Sequence, residues 1–168
     1  PKGVSVSGQV TSYNPNNPTT VRLLQNGTEM YQTTIAVASG SGPVTQDFTF
    51  ETVAEGTYDL VVTKPGHLSY TVKNVVVGSA PLDLTAQTGK PYQTITLLAG
   101  DVNGDGLIDV GDLSTVWNGA NYNKSVAAAS DKAADLNGDG LVDVGDLNIV
   151  WNAANYNKKA DTHCVVSY

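Results

Sequence analysis

The sequence predicts two modules in tandem. An all-β sandwich of about seven strands occupies residues 1–98, and a small all-α module with two loop–helix repeats occupies residues 99–168. Three observations predict this. Apolar and polar residues alternate in short runs through the first 98 residues, with turn residues between the runs. A twelve-residue acidic run starting at Asp101 recurs at Asp135. Each copy is followed by apolar residues at helical spacing.

The sandwich strands follow in order. Val4, Val6 and Val10 alternate with Ser5, Ser7 and Gln9, as in a half-buried strand. Tyr13 to Pro18 is a Pro/Asn-rich loop. Val21 to Leu24, then Asn26-Gly27, then Glu29 to Val37 predict a hairpin, because Asn-Gly accepts the positive φ that a tight hairpin turn needs. Ser39 to Pro43 is a turn, and Phe48 and Phe50 share one strand face. Gly56 opens a strand that points Tyr58, Leu60 and Val62 one way, and Lys64 to His67 is a turn. Leu68, Tyr70 and Val72, then Val75 to Val77, continue the alternation. Leu82 to Leu84 and Ile95 to Leu98 are late strands. His67 has no His, Cys or paired carboxylate near it in sequence and is expected at the surface.

The acidic runs carry the chemistry. They read Asp101-Val-Asn-Gly-Asp-Gly-Leu-Ile-Asp-Val-Gly-Asp112 and Asp135-Leu-Asn-Gly-Asp-Gly-Leu-Val-Asp-Val-Gly-Asp146. Side-chain oxygens recur at positions 1, 3, 5, 9 and 12, with glycine at position 6 (Gly106, Gly140). This is the spacing of an EF-hand calcium loop, in which position 7 supplies a backbone carbonyl and leaves its side chain free. The expected ligands are therefore Asp101, Asn103, Asp105, Leu107, Asp109 and Asp112 for one ion. Asp135, Asn137, Asp139, Leu141, Asp143 and Asp146 would hold the second. Ile108 and Val142, at position 8, are expected to bridge the two loops. Position 12 is Asp and not the usual Glu, so the helix carrying it must sit closer to the ion. Ile95 to Leu98 reads as a strand, which leaves no entering helix.

Leu113, Val116, Trp117 and Ala120 mark one face of a helix, and Leu147, Val150, Trp151 and Ala154 repeat it. An Ala-rich helix capped by Ser125 is expected through Ala134. The tail from Lys159 to Tyr168 has no assignable structure, and Cys164 reads as an incidental tail thiol.

Composition narrows the function. Residues 1–99 hold five Lys/Arg and six Asp/Glu, and residues 100–168 hold four and ten, giving the net −7 of the chain. The loops account for this acidity, which excludes nucleic acid as a partner. No apolar run reaches the ~18 residues of a membrane span. Opening on Pro1, the chain reads as a piece of a larger protein. It carries no nucleophile elbow, zinc-protease helix or phosphate loop, so no enzyme and no direct substrate is expected.

Two departures, the aspartate at position 12 and the missing entering helix, together with the duplicated D-x-N-x-D-G-x-x-D-x-x-D-L runs, make Gly100 to about Asn157 resemble a dockerin module of the bacterial cellulosome. Gly56 to Leu68 followed by Val75 to Val77 resembles carboxypeptidase-regulatory or Cna-B-like sandwich repeats, and such a module before a dockerin resembles an X-module. The resemblance implies a non-catalytic adaptor, dependent on two Ca2+. Its partner would be a cohesin module of a scaffold or cell-surface anchoring protein. It also implies a secreted, extracellular or cell-surface location in an anaerobic cellulolytic bacterium. Cohesin contacts would fall on Val110, Gly111, Trp117 and Asn118 in the first copy. In the second they would fall on Val144, Gly145, Trp151 and Asn152, so the module would bind in two orientations. Many dockerins carry a hydroxyl pair at positions 10 and 11, where this chain has Val-Gly. Trp117 and Trp151 lie on the shoulder of the apolar stripe, and the sequence leaves core and interface open for both.

Two other readings stand beside the adaptor, a calcium sensor and a calcium-stabilised spacer. A sensor exposes a Met-rich groove, whereas the one Met of this chain, Met30, lies outside the calcium half. The lack of Trp in residues 1–99 makes the sandwich a support and not a sugar binder.

Overall fold

The alternation of small β-branched residues builds two facing sheets. The structure is a computed structural model that describes residues 3–168; Pro1 and Lys2 of the expected sandwich lie outside the described residues. The strands are β1 (Val4–Tyr13), β2 (Thr19–Gln25), β3 (Thr28–Ile35), β4 (Pro43–Val53), β5 (Gly56–Thr63), β6 (Gly66–His67) and β7 (Tyr70–Val77). Short strands β8 (Leu82–Asp83), β9 (Ile95–Thr96) and β10 (Ala99–Asp101) lead into the first acidic loop. One sheet runs β4-β1-β8 with β9 also on β1, and the other runs β13-β7-β5-β2-β3, where β13 is Val165–Ser167. The hairpin turns on Asn26 and Gly27, both at positive φ (52° and 79°), as its strand pairing requires.

The second half holds α1 (Val110–Trp117), β11 (Lys124–Ser125), β12 (Leu141–Val142), α2 (Val144–Trp151) and α3 (Ala160–His163). Among the described residues no helix is long and apolar enough to cross a membrane. One buried cluster runs from Val6, Leu23, Leu60 and Val72 in the sandwich to Ile108, Val116, Leu136, Val142 and Val150 in the helical half. The two halves therefore share their apolar burial, and the short apolar joint at Leu97 to Gly100 leaves no free linker. Beta-10 pairs with β6, and Leu136 packs on Gly66.

Several expectations need correction. The Ala-rich helix is absent. Lys124 and Ser125 pair with Val142 and Leu141, Val126 N–H donates to Gly140 C=O, and only Lys132–Ala134 forms a single 3-10 turn. Nine or ten residues gain little from helix formation alone, so cross-strand pairing prevails over alanine propensity. Ile108 and Val142 do not bridge each other. Ile108 N–H donates to Lys158 C=O and its own carbonyl accepts from Asn157. Val142 pairs with Lys124, so each loop is tied to the segment that follows the other helix. Both helices start at position 10 and end at the Trp, and neither reaches Ala120 or Ala154.

The tail is ordered: β13 adds to β7 in parallel, and Tyr168 stacks on Tyr92 with ring centroids 5.4 Å apart. Cys164 is buried, and burial pushes its thiol up to about 11. His67 is buried too. Its Nε2 accepts from Tyr13 N–H at 3.0 Å and its Nδ1 lies 2.8 Å from Pro65 C=O, so it is a neutral, bonded core residue. Burial holds it down to about 4, helped by the neighbouring Lys64. That Lys64 is itself buried, donates to Ser12 Oγ at 2.9 Å and is lowered to about 8 by burial.

Candidate metal centre and partner surface

Each acidic loop folds around its first and last aspartates. Asp101 Oδ1 accepts from Gly104 and Asp105 N–H (2.9 and 3.1 Å), and Oδ2 from Gly106 N–H (3.0 Å). Gly106 sits at φ 83° and Gly140 at 91°, the left-handed region that a side chain would strain, which explains glycine at position 6. Asp112 Oδ1 accepts from Val102 and Asn103 N–H (2.8 and 3.2 Å), and Oδ2 from Asp109 N–H (2.8 Å). Asp109 in turn caps α1 by accepting from Gly111 N–H at 2.8 Å. The pair forms a reciprocal cap at the positive end of the helix.

The second loop repeats this scaffold. Asp146 accepts from Leu136, Asn137 and Asp143 N–H, Asp135 from Gly138 and Gly140 N–H, and Asp143 caps α2 on Gly145. Asn103 and Asn137 accept from the N–H of Asp105 and Asp139, which in turn accept from Leu107 and Leu141 N–H.

Among the described residues, Asp101, Asp105 and Asp112 each offer a carboxylate oxygen within 4.8 Å of the others. In the second loop Asp135 gathers two of these N–H groups where Asp101 gathers three, and Asn137 Nδ2 donates to Asp139 Oδ2 at 3.3 Å. Asp101, Asp112, Asp135 and Asp146 are buried. Burial pushes Asp112 and Asp146 up to about 6, against the pull of their N–H partners, and raises Asp101 and Asp135 as well. The ion pairs among the described residues, Arg22–Glu29 and Lys73–Asp59, lie in the sandwich and neutralise none of these charges. An all-oxygen set of buried, uncompensated carboxylates fits a hard divalent cation.

The helix faces settle the position of the tryptophans. Val110 and Trp117 are each 63% exposed, and Val144 and Trp151 are 57% and 60% exposed. Trp117 leans on Tyr122 with centroids 4.6 Å apart, and Trp151 on Tyr156 at 4.8 Å. Both tryptophans are therefore surface residues held in place by a tyrosine five residues beyond the end of the helix. Gly111 and Gly145 are half-buried, and Asn118 and Asn152 are exposed. The two asparagine carbonyls accept from Ala120 and Ala154 N–H, at 2.8 and 2.9 Å.

Some functional side chains carried no sequence signal beyond repetition. Buried Asn121 and Asn155 tie off the helices by donating to Thr115 and Ile149 C=O (2.7 and 2.8 Å). Asn14 and Asn16, in a loop far away in sequence, bond the second acidic loop.

Comparison with known proteins agrees with this arrangement. Residues 99–155 match the family model of the dockerin type I domain. No curated protein sequence matches the chain significantly. Two solved structures are similar over the whole fold, with 24% identity over 96% of this chain and 100% of theirs. One is an N-terminal interface mutant of a type II cohesin–X-dockerin complex from Acetivibrio cellulolyticus (TM-score 0.63). The other is a C-terminal interface mutant of the type II cohesin–X-dockerin complex from the same organism (TM-score 0.61). The fold is that of an X-module followed by a dockerin.

Proposed function

We propose that this chain is a non-catalytic adaptor whose dockerin half, held by two Ca2+, docks its parent protein onto a cohesin module in an extracellular cellulosome. The observation that carries this reading is the repeated pair of exposed Val and Trp on short helices, each rooted in an acidic loop. Exposed Trp beside a rigid backbone anchor is the usual centre of a protein interface. The modules are residues 1–98 and 99–168, with the sandwich as support.

The ligands of the first ion are Asp101, Asn103, Asp105, the Leu107 carbonyl, Asp109 and Asp112. Those of the second are Asp135, Asn137, Asp139, the Leu141 carbonyl, Asp143 and Asp146. The ion in each loop offsets the buried carboxylates and fixes the N-terminus of the helix that presents the contact residues. The faces are Val110, Gly111, Trp117 and Asn118, and Val144, Gly145, Trp151 and Asn152. Their similar exposure and repeated geometry support binding in either of two orientations related by half a turn.

A pull-down against a panel of cohesins, with calcium and with chelator, tests the reading. Retention of at least one cohesin, lost on chelation, is expected. No retention in calcium, or retention unaffected by chelator, overturns it.

A further inference from the structure

The two acidic loops are alike in sequence and unlike in surroundings. In the second, Asn14 Nδ2 donates to Asp135 C=O at 3.2 Å and Asn16 Nδ2 to Gly138 C=O at 2.9 Å. Gly42 N–H donates to Asn137 C=O. Three donors of the sandwich thus hold three of the first four carbonyl groups of this loop. In the first loop the corresponding residues Asn103 and Gly104 are exposed, while Asn137 is half-buried and Gly138 buried. A methyl group added at Gly138 would run into the Asn14 side chain, whereas one at Gly104 meets nothing within 4 Å. Asn14 is itself buried, at φ 62°, with its Oδ1 accepting from Asn16 N–H at 3.0 Å. The Asn14 amide is therefore held from within the sandwich as well as by the loop.

We propose that Asn14 and Asn16 are positioning residues for the second cation loop, so that these two sandwich amides raise the calcium affinity of the Asp135–Asp146 loop and leave unaffected the Asp101–Asp112 loop, which meets the sandwich instead through the pairing of Asp101 with Gly66. This rests on the calcium reading above. The bonded carbonyls belong to positions 1, 3 and 4 of the loop. They are not the position-7 carbonyl expected to face the ion, so the amides stiffen the loop without competing for the cation. A loop already held in its binding geometry loses less freedom on binding. By linkage, calcium in the second loop must tighten the sandwich against the dockerin by the same factor.

The test uses the full chain with one loop disabled at a time. In an Asp101→Ala background, which leaves the second loop, Asn14→Gly with Asn16→Ala should weaken calcium binding about tenfold by calorimetry. Glycine keeps the positive φ at position 14. In an Asp135→Ala background, which leaves the first loop, the same pair should change affinity less than twofold. A second comparison does not depend on the asparagine variants folding. Gly138 and Gly104 have matching φ of 74° and 75°, so alanine strains both equally. Gly138→Ala should lower affinity at its own loop several-fold more than Gly104→Ala does at the other. Equal losses in both loops, or none in either, overturn the proposal. If the Asp101→Ala chain with Asn14 and Asn16 intact takes up no calcium, the calcium reading itself fails and this inference falls with it.

Discussion

Asp112 and Asp109 hold each other at the start of α1: Asp112 Oδ2 accepts from Asp109 N–H at 2.8 Å while Asp109 caps the helix. Asp112 also gathers Val102 and Asn103, so one buried carboxylate joins the beginning of the loop, its end and the helix. The pair Asp146 and Asp143 repeats this. Removing a cation leaves that carboxylate buried and uncompensated. Chelation is expected to loosen residues 99–168 first, with loss of helical circular dichroism and early proteolysis in that half, while the β signal persists. Unchanged helical signal and protease resistance in metal-free protein would contradict this.

Asp101→Ala and Asp135→Ala should each remove one ion. The first aspartate of each loop closes it through three or two backbone N–H bonds, and no neighbouring side chain replaces it. Mass spectrometry under native conditions should count two ions in the parent chain and one in each variant. Two ions retained in either variant would show that position 1 is not a ligand.

His67 predicts a pH dependence of stability. Its ordinary value is 6.5, and burial lowers it to about 4 in the fold, so the unfolded chain binds the extra proton. Its stabilising share is present above pH 6.5 and is lost as pH falls toward 4, up to roughly 3 kcal/mol. His67→Gln cannot titrate. Urea melts at saturating calcium should show the parent losing more stability than the variant between these values, with Lys64 beside it unchanged in charge. Parallel curves for the two proteins would refute it.

The ordered tail makes two outcomes measurable. Deleting residues 164–168 removes β13, the Thr71 to Cys164 bond and the stack of Tyr168 on Tyr92. The expected loss is roughly 2 kcal/mol, or about 4–8 °C in Tm. The buried, raised thiol of Cys164 should resist a thiol reagent in the native chain and react on unfolding. Rapid labelling of native protein would place the tail elsewhere.

What was legible in the sequence was local in period. Strand alternation around Val6, Leu60 and Val72 and the spacing of the acidic loops both lie within a dozen residues, so the sandwich and the loop–helix repeats could be read directly. What was missed depends on distant partners. His67 is paired with Tyr13, Cys164 with the edge of β7, and Asn14 with Asp135. The alanine run after Ser125 carries helical propensity, yet its first residues are claimed by Leu141 and Val142. Trp117 and Trp151 could not be placed because a shoulder position on a two-turn helix does not say whether another element covers it.

If the two calcium-rooted faces are equivalent, as proposed, each suffices for cohesin binding. The direct measurement is calorimetric titration of a cohesin that the parent chain binds into three full-length variants. One carries Val110→Asp and Trp117→Ala, one carries Val144→Asp and Trp151→Ala, and one carries all four, each checked for two bound calcium ions. Losing one of two equivalent orientations costs only RT ln 2, about 0.4 kcal/mol. Each single-face variant is therefore expected to stay within about twofold of the parent, and the combined variant to lose at least ~100-fold. Loss of binding in one single-face variant but not the other, with both calcium ions retained, would contradict it.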